Sequence, residues 1–268
     1  MKYLLPILCL FIFSCDNDEN DCILDCGGAC NENVELWGEC YNIETTTSLL
    51  INNGMATGTI PSEIGDLANL TWLAIVHNPD LSGPIPPEIG NLTNLAYLDL
   101  ADNDLTGEIP VEIGNLINLT TLGMDMNQLS GEIPSEMGQM ENLISFWASS
   151  NQLSGAIPSE IGQIENLNDI MLANNNLTNI PTEITSLNLM YFDISSNLIT
   201  SLPDNLCDAC TFDTVNQNDC MIMVGGNQLC EEYYSDCLDY GWSPSWEEQD
   251  QSNCCEGPEG QANWTTCP

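Results

Sequence analysis

The sequence predicts an α/β solenoid, a stack of short parallel strands each followed by a return segment. Three observations carry that prediction. One phrase recurs seven times, with its prolines at Pro61, Pro86, Pro110, Pro134, Pro158, Pro181 and Pro203, at spacings of 25, 24, 24, 24, 23 and 22 residues. The clearest copies read as a leucine-rich strand signal, an asparagine and then Gly-x-Ile-Pro, as in LAYLDLADNDLTGEIP. Cysteines are confined to the two ends, with none between Cys40 and Cys207. A fixed period in the twenties marks a chain built from one supersecondary unit stacked on itself. Only the end units of such a stack need special closure.

Within one copy, Leu95, Leu98, Leu100 and Leu105 point into the stack. The strand Tyr97–Ala101 turns alternate side chains outward, as a period of two requires. Asn103 stands where the chain leaves the strand, with equivalents at Asn78, Asn127, Asn151, Asn175 and Asn197. A buried asparagine there satisfies backbone groups of its own turn and of its neighbour. After Pro110, the run Glu112-Ile113-Gly114 suits a helical first turn: proline is tolerated early, glutamate meets the N-terminal dipole and glycine helps end the turn. The row Glu63, Glu88, Glu112, Glu136, Glu160 and Glu183 is therefore expected as capping chemistry on the convex side.

Departures from the beat are specific. His77-Asn78-Pro79-Asp80-Leu81 carries one extra residue, which predicts a bulge. The first repeat stays in register only if Gly54 takes the asparagine position. The copies at Pro181 and Pro203 lack the Gly-x step, which predicts a change of curvature there. Met221–Val224, followed by Asn227-Gln228-Leu229-Cys230, restates the phrase and predicts a last strand.

The N-terminal 15 residues, MKYLLPILCLFIFSC, have the length and charge of an export signal and are too short to span a bilayer. Ile12-Phe13-Ser14-Cys15 resembles a bacterial lipobox, in which cleavage precedes a lipidated cysteine. Removing Cys9 with the signal and Cys15 to lipid leaves twelve of the fourteen cysteines, an even set; ordinary cleavage before Cys15 leaves one odd. The twelve are disulfide candidates: Cys22, Cys26, Cys30 and Cys40 before the repeats, and Cys207, Cys210, Cys220, Cys230, Cys237, Cys254, Cys255 and Cys267 after them. The expected organisation is a signal peptide at 1–14, a lipid-anchored acidic tether at 15–21 and a cysteine-rich cap at 22–47. Repeats follow at 48–230 and a Cys/Trp-rich cap at 231–268. Membrane contact is expected only through the lipid, at an outer membrane or cell surface, with secretion as the alternative.

The motif L-x-x-N-x-L-S/T-G-x-I-P-x-E-I-G resembles the plant-type leucine-rich repeat of receptor-like kinase ectodomains and polygalacturonase-inhibiting proteins, over residues 37–230. Trp37-Gly38-Glu39-Cys40 is similar to a shortened form of the plant N-terminal cap. LWGECYNIETTTSL and EEQDQSNC resemble the flanks of marine bacterial leucine-rich repeat proteins, and Asp16–Asp21 is similar to the acidic export tags of Bacteroidetes lipoproteins. The resemblance implies a right-handed superhelix, a concave parallel sheet, a second short sheet near the Gly-x-Ile-Pro step, and disulfide-stabilised caps. It also implies ligand binding on the concave or lateral face.

One Lys or Arg stands against forty Asp and Glu, a net charge of −39, and that one cation is Lys2. Phosphate backbones are read with Lys and Arg, so nucleic acid is excluded as a partner. Carboxylates without cations are solvated, screened or bridged by calcium. On the outward strand positions, Trp72, Tyr97, Trp147, Met171 and Tyr191 share a face with Asp99, Asp125, Asp169 and Asp193. Exposed aromatics on a rigid sheet anchor interfaces, and the carboxylates favour a cationic partner or sugar hydroxyls. His77 stands alone in the irregular turn, with no nucleophile motif beside it, and no catalytic constellation is expected. Sequons at Asn69, Asn91 and Asn118 follow from the repeat itself. The expected function is a non-enzymatic surface protein binding a protein, peptide or glycan. The alternative is an adhesive spacer with calcium bridging its carboxylates.

Overall fold

The computed structural model describes residues 32–209 and 221–229. Cys40 and Cys207 fall within them. The expected signal, tether and lipidation site Cys15, the C-terminal cap and the other disulfide candidates lie outside the described residues. So does Cys230 at the end of the repeats.

The described chain opens with an antiparallel hairpin, β1 (Asn33–Leu36) and β2 (Glu39–Asn42), turned by Trp37 and Gly38 at φ 49° and 84°. Two successive left-handed residues give the tight turn whose twist matches paired strands. The repeats then supply β3 (Ser48–Asn52), β4 (Trp72–Val76), β6 (Tyr97–Asp99), β8 (Thr121–Gly123), β10 (Ser145–Trp147), β12 (Asp169–Met171), β14 (Tyr191–Asp193) and β15 (Met221–Met223). These pair in parallel as one eight-stranded sheet in chain order. A second sheet holds β5 (Asn78–Gly83), β7 (Asn103–Glu108), β9 (Gln128–Gly131), β11 (Gln152–Ala156) and β13 (Asn176–Asn179), also parallel. Single 3-10 turns close the repeats at Ser62–Asp66, Pro87–Asn91, Val111–Asn115, Ser135–Gln139, Ser159–Gln163 and Thr182–Ser186.

Leu95, Leu98, Leu100 and Leu105 are fully buried, as the strand period requires. Each repeat's core contacts only its neighbours, so stability is a sum of nearest-neighbour terms. Between them runs the row of buried asparagines. Asn127 Nδ2 donates to the carbonyls of Leu100 in the preceding repeat (2.9 Å) and of Met124 in its own (3.2 Å). Its Oδ1 accepts from the Leu105 amide at 3.0 Å. The same pattern recurs at Asn151, Asn175, Asn197 and Asn227. Asn227 follows β15, where the sequence places the last copy. Gly54 does occupy the first asparagine position, because the Ala56 amide two residues on donates to Asn78 Oδ1. The extra residue after His77 produces the expected bulge, with the β5–β7 register shifting between Asn78 and Ser82.

Two expectations are corrected. In the eight-stranded sheet, β6, β8, β10, β12 and β14 are three residues long, so Ala101 and its equivalents lie beyond the strand rather than in it. A left-handed residue follows at the next position: Asp102, Met126, Ser150, Asn174 and Ser196 all have φ between 53° and 59°. The return segments make one 3-10 turn, and their glycines do not act as left-handed terminators. They serve close approach instead: a Cβ on Gly114 would lie 2.4 Å from the Glu136 carbonyl oxygen of the next repeat, and Gly90 meets Glu112 at the same distance. Asn69 and Asn118 recur with the repeat, and the structure adds a role for them. With Asn94, Asn142 and Asn166 they form an outer row whose Nδ2 groups donate to carbonyls one repeat earlier, at 2.8 to 3.1 Å.

Asn127→Ala leaves the Leu105 amide and the Leu100 and Met124 carbonyls short of a partner where water does not reach. The expected cost is about 1–3 kcal/mol in urea unfolding. A loss below a few tenths would show that the row is dispensable.

Candidate ligand-binding face

Pairing in the eight-stranded sheet is in register, so equivalent positions line up across repeats. One row runs Ser48, Trp72, Tyr97, Thr121, Ser145, Asp169, Tyr191 and Met221; the next outward row runs Leu50, Ala74, Asp99, Gly123, Trp147, Met171, Asp193 and Met223. The expected residues therefore do share one face, apart from Asp125, which sits just past the end of β8.

Trp72 and Tyr97 stack with ring centroids 5.4 Å apart and planes 13° from parallel. Such a pair is worth about 0.5–1.5 kcal/mol beyond its buried area. The Tyr97 hydroxyl donates to Asp99 Oδ2 at 3.0 Å, and Asp99 Oδ1 accepts from the Ala101 amide at 3.0 Å. Burial first, and then the neighbouring Asp99 carboxylate, push the Tyr97 phenol up to about 12. Gly123 lets Asp99 and Trp147 close over the strand: a Cβ there would lie 2.9 Å from Asp99 Oδ1 and 3.7 Å from the Trp147 ring. Trp147 Nε1 donates to Asp169 Oδ2 at 2.9 Å, which holds the indole in one orientation. Asp169 Oδ1 is buried with no hydrogen-bond partner. Asp125 Oδ1 accepts from the Ser149 amide at 2.7 Å. Asp193 Oδ1 accepts both the amide and the hydroxyl of Ser195, at 2.9 and 2.6 Å.

Burial raises the carboxyl pKa of both Asp125 and Asp169; hydrogen bonds from Ser149 and Trp147 respectively offset part of that. Met171 is half-buried beside Trp147 in the same row, and Tyr191 and Leu50 are exposed. Gly123, Ser149 and Ser195 were not expected at the site. Asp193-Ile194-Ser195 carries a local signal, a carboxylate two residues before a hydroxyl. Gly123 carries none beyond its place in a column of larger side chains.

His77 lies in the turn at φ 58°, its Nε2 3.5 Å from Asp102 Oδ2, with both side chains exposed. No group of three or more His, Cys, Asp or Glu side chains among the described residues is arranged to hold a metal. A separate cleft of about 580 Å³ lies between the β1–β2 hairpin and the first 3-10 turn, lined by Glu35, Trp37, Glu63 and Asp66 among others. Cys207, in the turn Leu206–Ala209, is disulfide-bonded.

The family profile described as Leucine Rich Repeat matches residues 94–116 and 118–140. These are leucine-rich repeats of the plant type. The chain is similar to the plant peptide hormone receptor RGFR1, solved in complex with RGF2: 35% identity over 68% of this chain and 28% of that one, TM-score 0.61. It is similar to a plant ice-binding protein at 30% identity, over 76% of this chain and 63% of that one, TM-score 0.61. A third likeness is to the leucine-rich repeat ectodomain of the receptor kinase GASSHO1/SCHENGEN3 from Arabidopsis thaliana, solved with Casparian strip integrity factor 2: 31% identity, 68% of this chain and 24% of that one, TM-score 0.55. The chain thus spans about a quarter of the length of the two receptors. Among curated proteins, none matches it.

The raised pKa of Asp125 has a defined sign. The fold favours the neutral carboxyl, so this stabilisation is complete below the ordinary value of 3.8 and disappears as pH rises through the raised native value. Asp125→Asn keeps an Oδ1 acceptor for the Ser149 amide and carries no charge. It is expected to melt higher than the parent at pH 7 and to lose that advantage in acid. A melting difference that does not change with pH contradicts this.

Proposed function

We propose that the chain is a non-enzymatic, exported binding protein that takes an extended basic peptide or protein segment on the open face of its eight-stranded sheet. The observation that carries this reading is the group Trp72, Tyr97, Asp99, Gly123 and Trp147. It presents a stacked aromatic pair and a second, hydrogen-bonded indole, with Asp99 packed close over Gly123, all on rigid strands. Anchors already held in place lose little entropy on binding. The carboxylates around them are half-buried, and the repeats contain no Lys or Arg to neutralise them. A Lys or Arg of a partner supplies that charge and can lie against an indole face. The two receptors similar to this chain were solved with RGF2 and Casparian strip integrity factor 2, which agrees with a peptide or protein ligand.

Titration with Lys/Arg-containing peptides tests the reading. Trp72→Ala, Tyr97→Ala and Trp147→Ala should each cost about 2 kcal/mol or more, roughly thirtyfold in Kd, without loss of fold. Affinity should also fall as salt rises. Unchanged capture by the triple variant sinks the proposal, and preference for neutral glycans replaces its ligand class.

Anchorage is proposed through lipid on Cys15, with disulfides closing the caps. The mature chain is then expected to begin at Cys15 with acyl mass attached, and Cys15→Ala to abolish that mass in intact-protein spectra. An unacylated mature chain would leave secretion as the route.

A second reading is favoured by the second, lateral sheet of β5, β7, β9, β11 and β13, whose outward side chains in its C-terminal strands are hydroxyls and amides. We propose ordered water, as at an ice surface, as what that sheet meets. The likeness to a plant ice-binding protein supports it.

A further inference from the structure

Resting on the ordered-water reading, we propose that the ice-facing surface is only the C-terminal half of the lateral sheet, the charge-free outward side chains of β11 and β13 from Gln152 to Asn179. In the N-terminal half, Asp80, Asp104, Glu108 and Glu132 are all exposed. Asp104 pairs with Ser82 across the sheet and Glu108 with Ser130, so carboxylates break the rows of hydroxyls. Glu132 is the last of them and borders the array, its Cγ 3.0 Å from where a Cβ on Gly155 of β11 would stand. Beyond it, the outward residues of β11 and β13 are Gln152, Ser154, Ala156, Asn176, Thr178 and Asn179, with no charge among them. The adjoining left-handed turns continue the pattern with Ser150, Asn174 and Ser196. For a chain with forty carboxylates this is an unusual stretch of neutral surface.

The chemistry suits a lattice of water. Strands in a sheet repeat at about 4.8 Å, close to the interval at which oxygen rows recur in ice. Ser154 Oγ donates to the Gly131 carbonyl at 3.3 Å, and Thr178 Oγ1 to the Gly155 carbonyl at 3.1 Å. With the proton directed to the protein, each hydroxyl keeps acceptor lone pairs for water at a defined position. The register sets Ser154 beside Asn176 and Ser130 beside Gln152, so amide groups alternate with hydroxyls across neighbouring strands. Short side chains on a hydrogen-bonded sheet lose little entropy when water orders against them. A carboxylate there would hold its own hydration shell and resist exchanging it for a lattice.

The test is inhibition of ice recrystallisation by the mature chain. Ser154→Asp with Thr178→Asp should abolish it, while Ser82→Asp with Thr106→Asp should leave it unchanged; circular-dichroism melting checks that both variants fold. Asp104→Asn with Glu108→Gln and Glu132→Gln should lower the protein concentration needed. Inhibition that survives the first pair, or is lost equally with the second, overturns the location and leaves the ordered-water reading standing. No inhibition by the unaltered chain overturns that reading as a whole, and retention on an uncharged polysaccharide would then identify the array's occupant.

Discussion

The stack depends on how backbone groups between repeats are satisfied where water does not reach. A parallel strand of three residues pairs few amides and carbonyls, and the turn leaving it strands several more. The buried asparagine answers both needs, since its amide donates in two directions and its oxygen accepts from the repeat before. Much else is arranged around that side chain. The residue before it adopts a left-handed conformation, which Asp102, Asn174 and Ser196 accommodate through short polar side chains. Where the extra residue intervenes after His77, the Asn103 oxygen takes the amide of Asn78 itself at 2.9 Å. The outer row of asparagines does the same work at the opposite end of each repeat.

The near-absence of cations then shapes the surface. No Lys or Arg within the repeats can balance a carboxylate, so every acidic group there is either well hydrated or held by neutral donors. On the main sheet, backbone amides, a tyrosine hydroxyl, a serine hydroxyl and an indole N–H supply those donors. This satisfies part of each carboxylate and leaves the face attractive to external positive charge. The lateral sheet divides differently: carboxylates in one half, hydroxyls and amides in the other. Two surfaces of distinct chemistry thus sit on one rigid stack, set by substitutions at positions that the repeat leaves free.

Those free positions are also where sequence reading reaches its limit. Period and alternation placed Trp72, Tyr97, Asp99, Trp147 and Met171 on a common face, because a side chain's direction in a strand follows from its parity. Neither period nor alternation could say that Trp147 is tied to Asp169, that the Trp72 and Tyr97 rings stack, or that Asp99 packs close over Gly123. Each of these depends on rotamers chosen against the neighbouring repeat. Asp125 was assigned to a strand that ends two residues sooner, since strand length depends on where the left-handed turn falls.

By itself the sequence determined the solenoid, its inward leucines, the asparagine row, the vacancy filled by Gly54, the bulge after His77 and the closing strand with Asn227. All of these follow from local chain geometry and the cost of an unpaired buried backbone group, and both are written residue by residue. Only the tertiary structure decided why glycine takes the fourth position in five of the six return turns, how the outer asparagines bridge repeats, and how the lateral strands are offset so that Ser154 stands beside Asn176. These features arise from the distance and register between repeats, which the packing of whole units sets and no single repeat encodes.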